Sequence, residues 1–192
     1  EYSLTRMVSA SVKWNGDTSG SVNSSCNSLQ AAFQRTTDFT GIGVNTWDTS
    51  NVVRFDETFI DCDAFNAVVS HFKISDEGAD FAACFKGCIS FNKPISPSAF
   101  NCTQMFRRAV KFNSPMNTHT VSGVKYWDMS LCTTLQGMFQ SAASFNQPLG
   151  AWDTSSVTRM NNVFNAAKVF NQDISDWDTS SVTTMSGMFR SA

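Results

Sequence analysis

Apolar residues recur along the chain at short, regular steps, with polar residues between them. Val157, Met160, Val163/Phe164 and Ala167 fall at i, i+3, i+6/i+7 and i+10, and Val182, Met185, Met188/Phe189 and Ala192 repeat the series. That spacing is one face of an amphipathic helix. The Asp-Thr-Ser ahead of each series offers oxygens for the orphan N–H groups of a helix start. Each unit then runs on as in Phe170-Asn171-Gln172-Asp173-Ile174-Ser175-Asp176-Trp177, too short for a second helix and suited to a brief strand or extended corner. Pro94, Pro115 and Pro148 sit in that connector, where no backbone donor need be lost.

These units form a tandem array. Trp152-Asp153-Thr154-Ser155-Ser156-Val157-Thr158 recurs as Trp177-Asp178-Thr179-Ser180-Ser181-Val182-Thr183, with Trp127-Asp128-Met129-Ser130 at the same 25-residue step before both. Trp47-Asp48-Thr49-Ser50 is an earlier copy. A second anchor, Phe-x5-Phe, appears at Phe33/Phe39, Phe59/Phe65, Phe85/Phe91, Phe106/Phe112, Phe139/Phe145 and Phe164/Phe170, and Phe189 opens a further copy. The steps between first Phe residues are 26, 26, 21, 33, 25 and 25, so one repeat is shortened near Pro97 and one carries an insertion over 114–125. Residues 1–25 read as a degenerate first coil, in which Leu4-Thr5-Arg6-Met7 echoes Val157-Thr158-Arg159-Met160. One strand and one helix per repeat cannot bury their own apolar face, whereas stacked copies share a continuous core. The expected fold is a right-handed, leucine-rich-repeat-like α/β solenoid over residues 1–192, of about seven repeats with the last truncated. An all-β solenoid is the alternative. The Asn after each second Phe (Asn66, Asn92, Asn113, Asn146, Asn171) is expected to form a ladder that satisfies backbone groups at the corner between coils.

Composition narrows the function. Charged residues are 16 % and the net charge is -2, so no global field draws the chain to nucleic acid or an anionic membrane. No apolar run approaches the roughly 18 residues of a membrane span. The chain opens at Glu1 without a signal-peptide pattern, and both ends read as cuts through a longer protein. The 17 Phe and five Trp against two Tyr are explained by the repeat anchors.

The pattern Trp-Asp-Thr-Ser-Ser-Val-Thr-x-Met-x-x-x-Phe-x-x-Ala-x-x-Phe-Asn-Gln, nearly complete at 152–172 and 177–192 and good at 127–147, resembles the BspA-like surface-protein repeat of bacterial and protist surface proteins. The match across 26–113 is partial: Phe72 replaces Trp, and Gly78 and Ala99 replace Val. The resemblance implies a leucine-rich-repeat-related fold and a cell-surface or extracellular role in adhesion or recognition, without catalysis.

Candidate chemistry is sparse. Cys26 and Cys132 take the Val157 slot, Cys102 that of Met160, Cys84 that of Val163, and Cys62 and Cys88 that of Ala167, all core-facing. There a free thiol serves as a small hydrophobe. The other reading is a bridge between offset slots such as Cys62 and Cys84. Zinc is not expected, since Cys84-x3-Cys88 has no second close pair and neither His71 nor His119 has metal-site spacing to it. No Gly-x-Ser-x-Gly elbow, phosphate-binding Gly loop or singled-out carboxylate couple is present, so no catalytic residue and no cofactor is expected. Asp128, Asp153 and Asp178 follow Trp in successive repeats; each either caps its own helix or joins an acidic stripe that binds a cation or basic partner. They are the candidate ligand stripe. Asn23-Ser24-Ser25 and Asn101-Cys102-Thr103 match the glycosylation acceptor. Thr133, Thr158 and Thr183 stack in register, but on predicted helices, which argues against a flat ice- or mineral-binding row.

The sequence therefore predicts a non-enzymatic, surface-displayed recognition or adhesion module with a protein or glycan partner. Contacts are expected on the concave strand side and the 114–125 insertion. The alternative is a structural scaffold subunit of an extracellular, intracellular or organellar assembly, with a neighbouring subunit at the C-terminal end.

Overall fold

The computed structural model describes residues 2–4, 13, 15–72, 77–95, 98–116, 119–121 and 124–192. The Leu4–Met7 echo falls largely outside them. Among the described residues no α-helix forms. The strands are β1 (Tyr2–Ser3), β2 (Cys26–Ser28), β3 (Ala79–Asp80), β4 (Ala99–Asn101), β5 (His119–Val121) and β6 (Val124–Tyr126), with one 3-10 turn at Val44–Thr46. The expected helix per repeat is thus overturned, and with it the leucine-rich-repeat α/β class. The all-β alternative fails too, because the strands are only two or three residues long. Each coil is built instead from consecutive tight turns.

Backbone hydrogen bonding accounts for the difference. Leu29, Ala31, Phe33 and Arg35 donate their N–H groups to the carbonyls of Arg54, Asp56, Thr58 and Ile60 in the next coil. Met160, Asn162, Phe164 and Ala166 likewise donate to Thr184, Ser186, Met188 and Arg190, and both sets span 2.7–3.0 Å. The N–H groups in between turn back three residues, as Ala32 to Leu29, Gln34 to Ala31 and Thr36 to Phe33. Every second amide is therefore committed to a neighbouring coil and is lost to any i→i−4 helix. This alternation needs left-handed residues at the third position of successive turns, as type II turns do. They occur in pairs four apart: Ala31/Arg35, Glu57/Asp61, Ala83/Gly87, Gln104/Arg108, Gly137/Ser141, Asn162/Ala166 and Gly187/Ser191.

The turns bring the two Phe of each unit face to face. Within a coil their ring centroids lie 3.8–4.5 Å apart. On a helix, residues six apart point about 120° away from each other. Between coils the first Phe residues form one column at 5.6–5.9 Å. The second Phe residues form another at 5.8–5.9 Å. Trp127, Trp152 and Trp177 stack beside them at 5.9 and 6.1 Å, and Phe72 fills the aromatic place on Trp47 at 6.0 Å. Trp47, Trp152 and Trp177 donate their indole N–H to carbonyls of Thr18, Met116 and Leu149, whereas buried Trp127 has no partner among the described residues.

One residue per coil completes a narrow parallel ladder: Ser3, Ser28, Arg54, Asp80, Asn101, Thr134, Arg159 and Thr184. Both columns stay in register across the 21- and 33-residue steps. The longer step is absorbed by an antiparallel hairpin, β5 on β6.

The columns predict a graded response to truncation. Phe139→Ala, fully buried between Phe106 and Phe164, is expected to cost about 3–5 kcal/mol in denaturant unfolding. Phe189→Ala, at a site 52 % exposed, should cost less than about 1.5 kcal/mol. Gly87→Ala should destabilise more than Gly137→Ala. Both are left-handed, but only at Gly87 does the new Cβ collide with the Asp61 carboxylate.

Candidate functional site

The solvent-facing chemistry lies along the length of the stack, in rows of equivalent residues. The best-formed row is the asparagine ladder. Asn92 N–H donates to Asn66 Oδ1 at 3.0 Å, Asn113 to Asn92 at 2.9 Å, Asn146 to Asn113 at 2.9 Å and Asn171 to Asn146 at 2.8 Å. The same amide oxygens accept the side chains of Ser114, Gln147 and Gln172. Thr40 N–H joins the row through Asn15 Oδ1. This row wires the corner of each coil to the next, and it was legible in the sequence as Phe-Asn.

Asp128, Asp153 and Asp178 do occupy one slot in successive coils, but each carboxylate turns onto its own chain. Asp128 Oδ1 accepts the N–H and hydroxyl of Ser130, Asp153 those of Ser155, and Asp178 the N–H of Ser180. The same Asp-x-Ser turn closes Asp17–Ser19, Asp48–Ser50 and Asp173–Ser175 outside the stripe. These carboxylates cap tight turns, not helices. The Ser180 N–H, with its hydroxyl second, holds Asp178 below the ordinary Asp range. No group of three or more metal-ligating residues converges among the described residues.

The glycosylation candidates differ in setting. Asn23 is exposed, and its Oδ1 accepts Ser25 N–H at 2.9 Å. Asn101 lies half-buried on β4 with its Oδ1 on Thr103 N–H at 3.1 Å. His71 Nε2 donates to Val44 O at 3.0 Å, at the rim of a hollow of about 240 Å³ lined by Asn45, Thr46, Trp47, Asp48 and Thr49. This ties His71 to the backbone of the preceding coil. His119 begins β5. The hydroxyls of Thr133, Thr158 and Thr183 donate to Phe100, Thr133 and Thr158 carbonyls at 3.0–3.1 Å, so this row braces the backbone.

Two features escaped the sequence reading. Arg54 grips Asp56 through Nε and Nη2 at 3.0 and 3.1 Å beside Asp80, all near the parallel ladder. The pair is two residues apart, a spacing that carries no signal until the strand-like ladder is known. The second is an exposed apolar row three residues beyond each second Phe: Ile42, Val68, Pro94, Pro115 and Pro148. Ile42 and Val68 are 46 % and 50 % exposed. The phase of these residues was visible, but their outward direction required the turns.

Asn146→Ala removes the acceptor for Asn171 N–H and Gln172 Nε2. It is expected to cost about 1–2 kcal/mol in chemical denaturation. Asp80 is held above the ordinary Asp range, first by burial and then by Asp56, against the opposing Ala82 N–H and Arg54. A carboxyl raised in the fold stabilises below its unfolded value of 3.8, and that contribution fades as pH rises through the folded value. Asp80→Asn keeps the turn acceptor, as Asn101 does one coil on. At pH 7 the substitution should therefore leave stability unchanged or raise it, by no more than about 1 kcal/mol because the group is half solvated. The gain should vanish in melts below pH 3.8.

No curated protein and no solved structure matches the chain. A family model described as "Mycoplasma protein of unknown function, DUF285" matches residues 27–126 and again 116–192, which together take in the Phe columns, the asparagine ladder and the Trp-Asp-x-Ser turns. The chain belongs to the DUF285 family.

Proposed function

We propose that the chain is a surface-displayed, non-enzymatic recognition or adhesion module, related to the BspA-like surface repeats through its Trp-Asp-Thr-Ser and Phe-Asn motifs. The observation that carries this reading is the exposed apolar row Ile42, Val68, Pro94, Pro115, Pro148. It runs in step over five successive coils, and consecutive apolar residues on one exposed face favour contact with a partner. A stack of this kind binds along its length, adding small contributions from each coil. The asparagine ladder beside the row fixes its spacing, so little ordering entropy is lost on binding. A protein surface suits the row best; a glycan that packs on Pro and Val is the other partner class. No helix among the described residues is long and apolar enough to cross a membrane, so retention at a surface would rest on something other than a described helix.

Two measurements test the reading. Intact cells that express the protein, treated with a membrane-impermeant amine label, should yield labelled protein before lysis. Recovery of label only after lysis would sink the surface assignment and move the weight to an internal scaffold. Separately, Ile42→Asp with Val68→Asp should reduce binding to arrayed extracellular proteins and glycans at least ten-fold, with the melting temperature little changed because both sites are exposed. Equal binding by variant and parent would remove the apolar row as the contact face.

A further inference from the structure

The six cysteines are all free and buried, yet they are not equivalent. Cys62 and Cys88 donate their thiols to the Phe33 and Phe59 carbonyls of the preceding coil, both at 2.9 Å. Cys26 donates to its own Ser28 carbonyl at 3.5 Å, and Cys84 lies beside Thr58. Cys26, Cys62 and Cys88 each have a carbonyl partner, as a core filler should. Cys102 and Cys132 are the remaining two. They lie in neighbouring coils at offset slots, joined by the Asn101–Thr134 rung of the parallel ladder. Cys132 Sγ and the Cys102 amide N–H converge on one atom, the Thr134 carbonyl oxygen, at 3.4 and 3.2 Å. This shared acceptor brings the two cysteines together across the coil boundary.

We propose that Cys102 and Cys132 are a disulfide site that locks the stack across its insertion. Residues between them include the whole of β4's exit, the β5–β6 hairpin and Trp127, the one described coil-to-coil step of 33 residues. Elsewhere the repeat itself holds neighbouring coils in register; here a covalent tie closes the longest excursion. The pair is also unequal. The Cys102 side chain holds the Cys132 thiol below its ordinary value, while Cys132 and then burial push Cys102 up. Cys132 is therefore the sulfur that ionises first.

The chemistry requires a small-molecule disulfide as oxidant, such as oxidised glutathione. Cys132 loses its proton and attacks one oxidant sulfur, breaking that S–S bond and releasing one thiolate, which takes up the proton. Cys102 then loses its proton and attacks the Cys132 sulfur of the mixed disulfide, and the second oxidant thiolate leaves and is protonated. Two electrons pass from the cysteine pair to the oxidant, and two small thiols are formed. Both cysteines are fully buried, so the reaction belongs to folding or to transient opening of this junction.

The test is thiol mapping after refolding in a glutathione buffer swept from reducing to oxidising. The oxidised protein should lose about 2 Da, keep four of its six thiols alkylatable, and yield one crosslinked peptide pair joining Cys102 to Cys132. Its melting temperature should exceed that of the reduced protein by roughly 5–10 °C. Cys132→Val fills the slot with the residue found at Val52 and Val157, so it should fold; it and Cys102→Ala should both abolish the crosslink and the oxidation-dependent rise. Six alkylatable thiols at every ratio, or a crosslink that involves Cys62, Cys84 or Cys88 instead, would overturn the assignment.

Discussion

Everything in this molecule follows from how its backbone amides are shared. In the segment leading into each Phe pair, alternate N–H groups leave for the next coil and the rest return three residues back. Neither a helix nor a conventional sheet permits that division, because a helix keeps all its amides and a strand gives alternate ones to each side. The division demands two left-handed residues per coil, each costing roughly 1–2 kcal/mol where the residue is not glycine. Full burial returns about 1.5–3 kcal/mol for each Phe. The stack thus tolerates Arg35, Glu57 and Asn162 at positive φ, although glycine takes the place at 87, 137 and 187. The strain is bearable only because neighbouring coils hold it in place.

The same sharing makes the array tolerant of unequal coils. What must be conserved between neighbours is the short segment from the parallel ladder to the Asn after the second Phe. The remainder can shrink, as in the 21-residue step, or bulge into β5–β6, as in the 33-residue step, while both Phe columns keep their spacing. Polar side chains then serve the backbone: Asn amides bridge corners, Asp-x-Ser closes turns, and Thr133, Thr158 and Thr183 brace carbonyls. Few hydroxyls or carboxylates in these rows remain available for a ligand. That leaves the apolar row as the described surface with the least structural duty.

Much of this was written in the chain. The Phe-x5-Phe step, the Trp register, the core positions of all six cysteines and the asparagine ladder were each set by residue identity and spacing, and they hold because a column of identical side chains needs only that coils stack in phase. Secondary structure was not determined that way. The series Val157, Met160, Val163/Phe164, Ala167 fits both a 3.6-residue helix and a run of three-residue turns. Extending it to Phe170 separates the two, since a helix would carry Phe170 about 140° from Val157, and so does glycine at the third turn position in 137 and 187.

The direction of the amides was decided only by the tertiary structure. A turn-built segment has no acceptor for its alternate N–H groups until a second coil lies against it, so no local signal can specify it. The same holds for the sites. Which carbonyl of a neighbouring coil a thiol faces, as Cys62 faces Phe33 and Cys88 faces Phe59, depends on offsets between coils. Residue spacing fixed which side chains share a slot; the stacking of neighbouring coils chose which atoms touch.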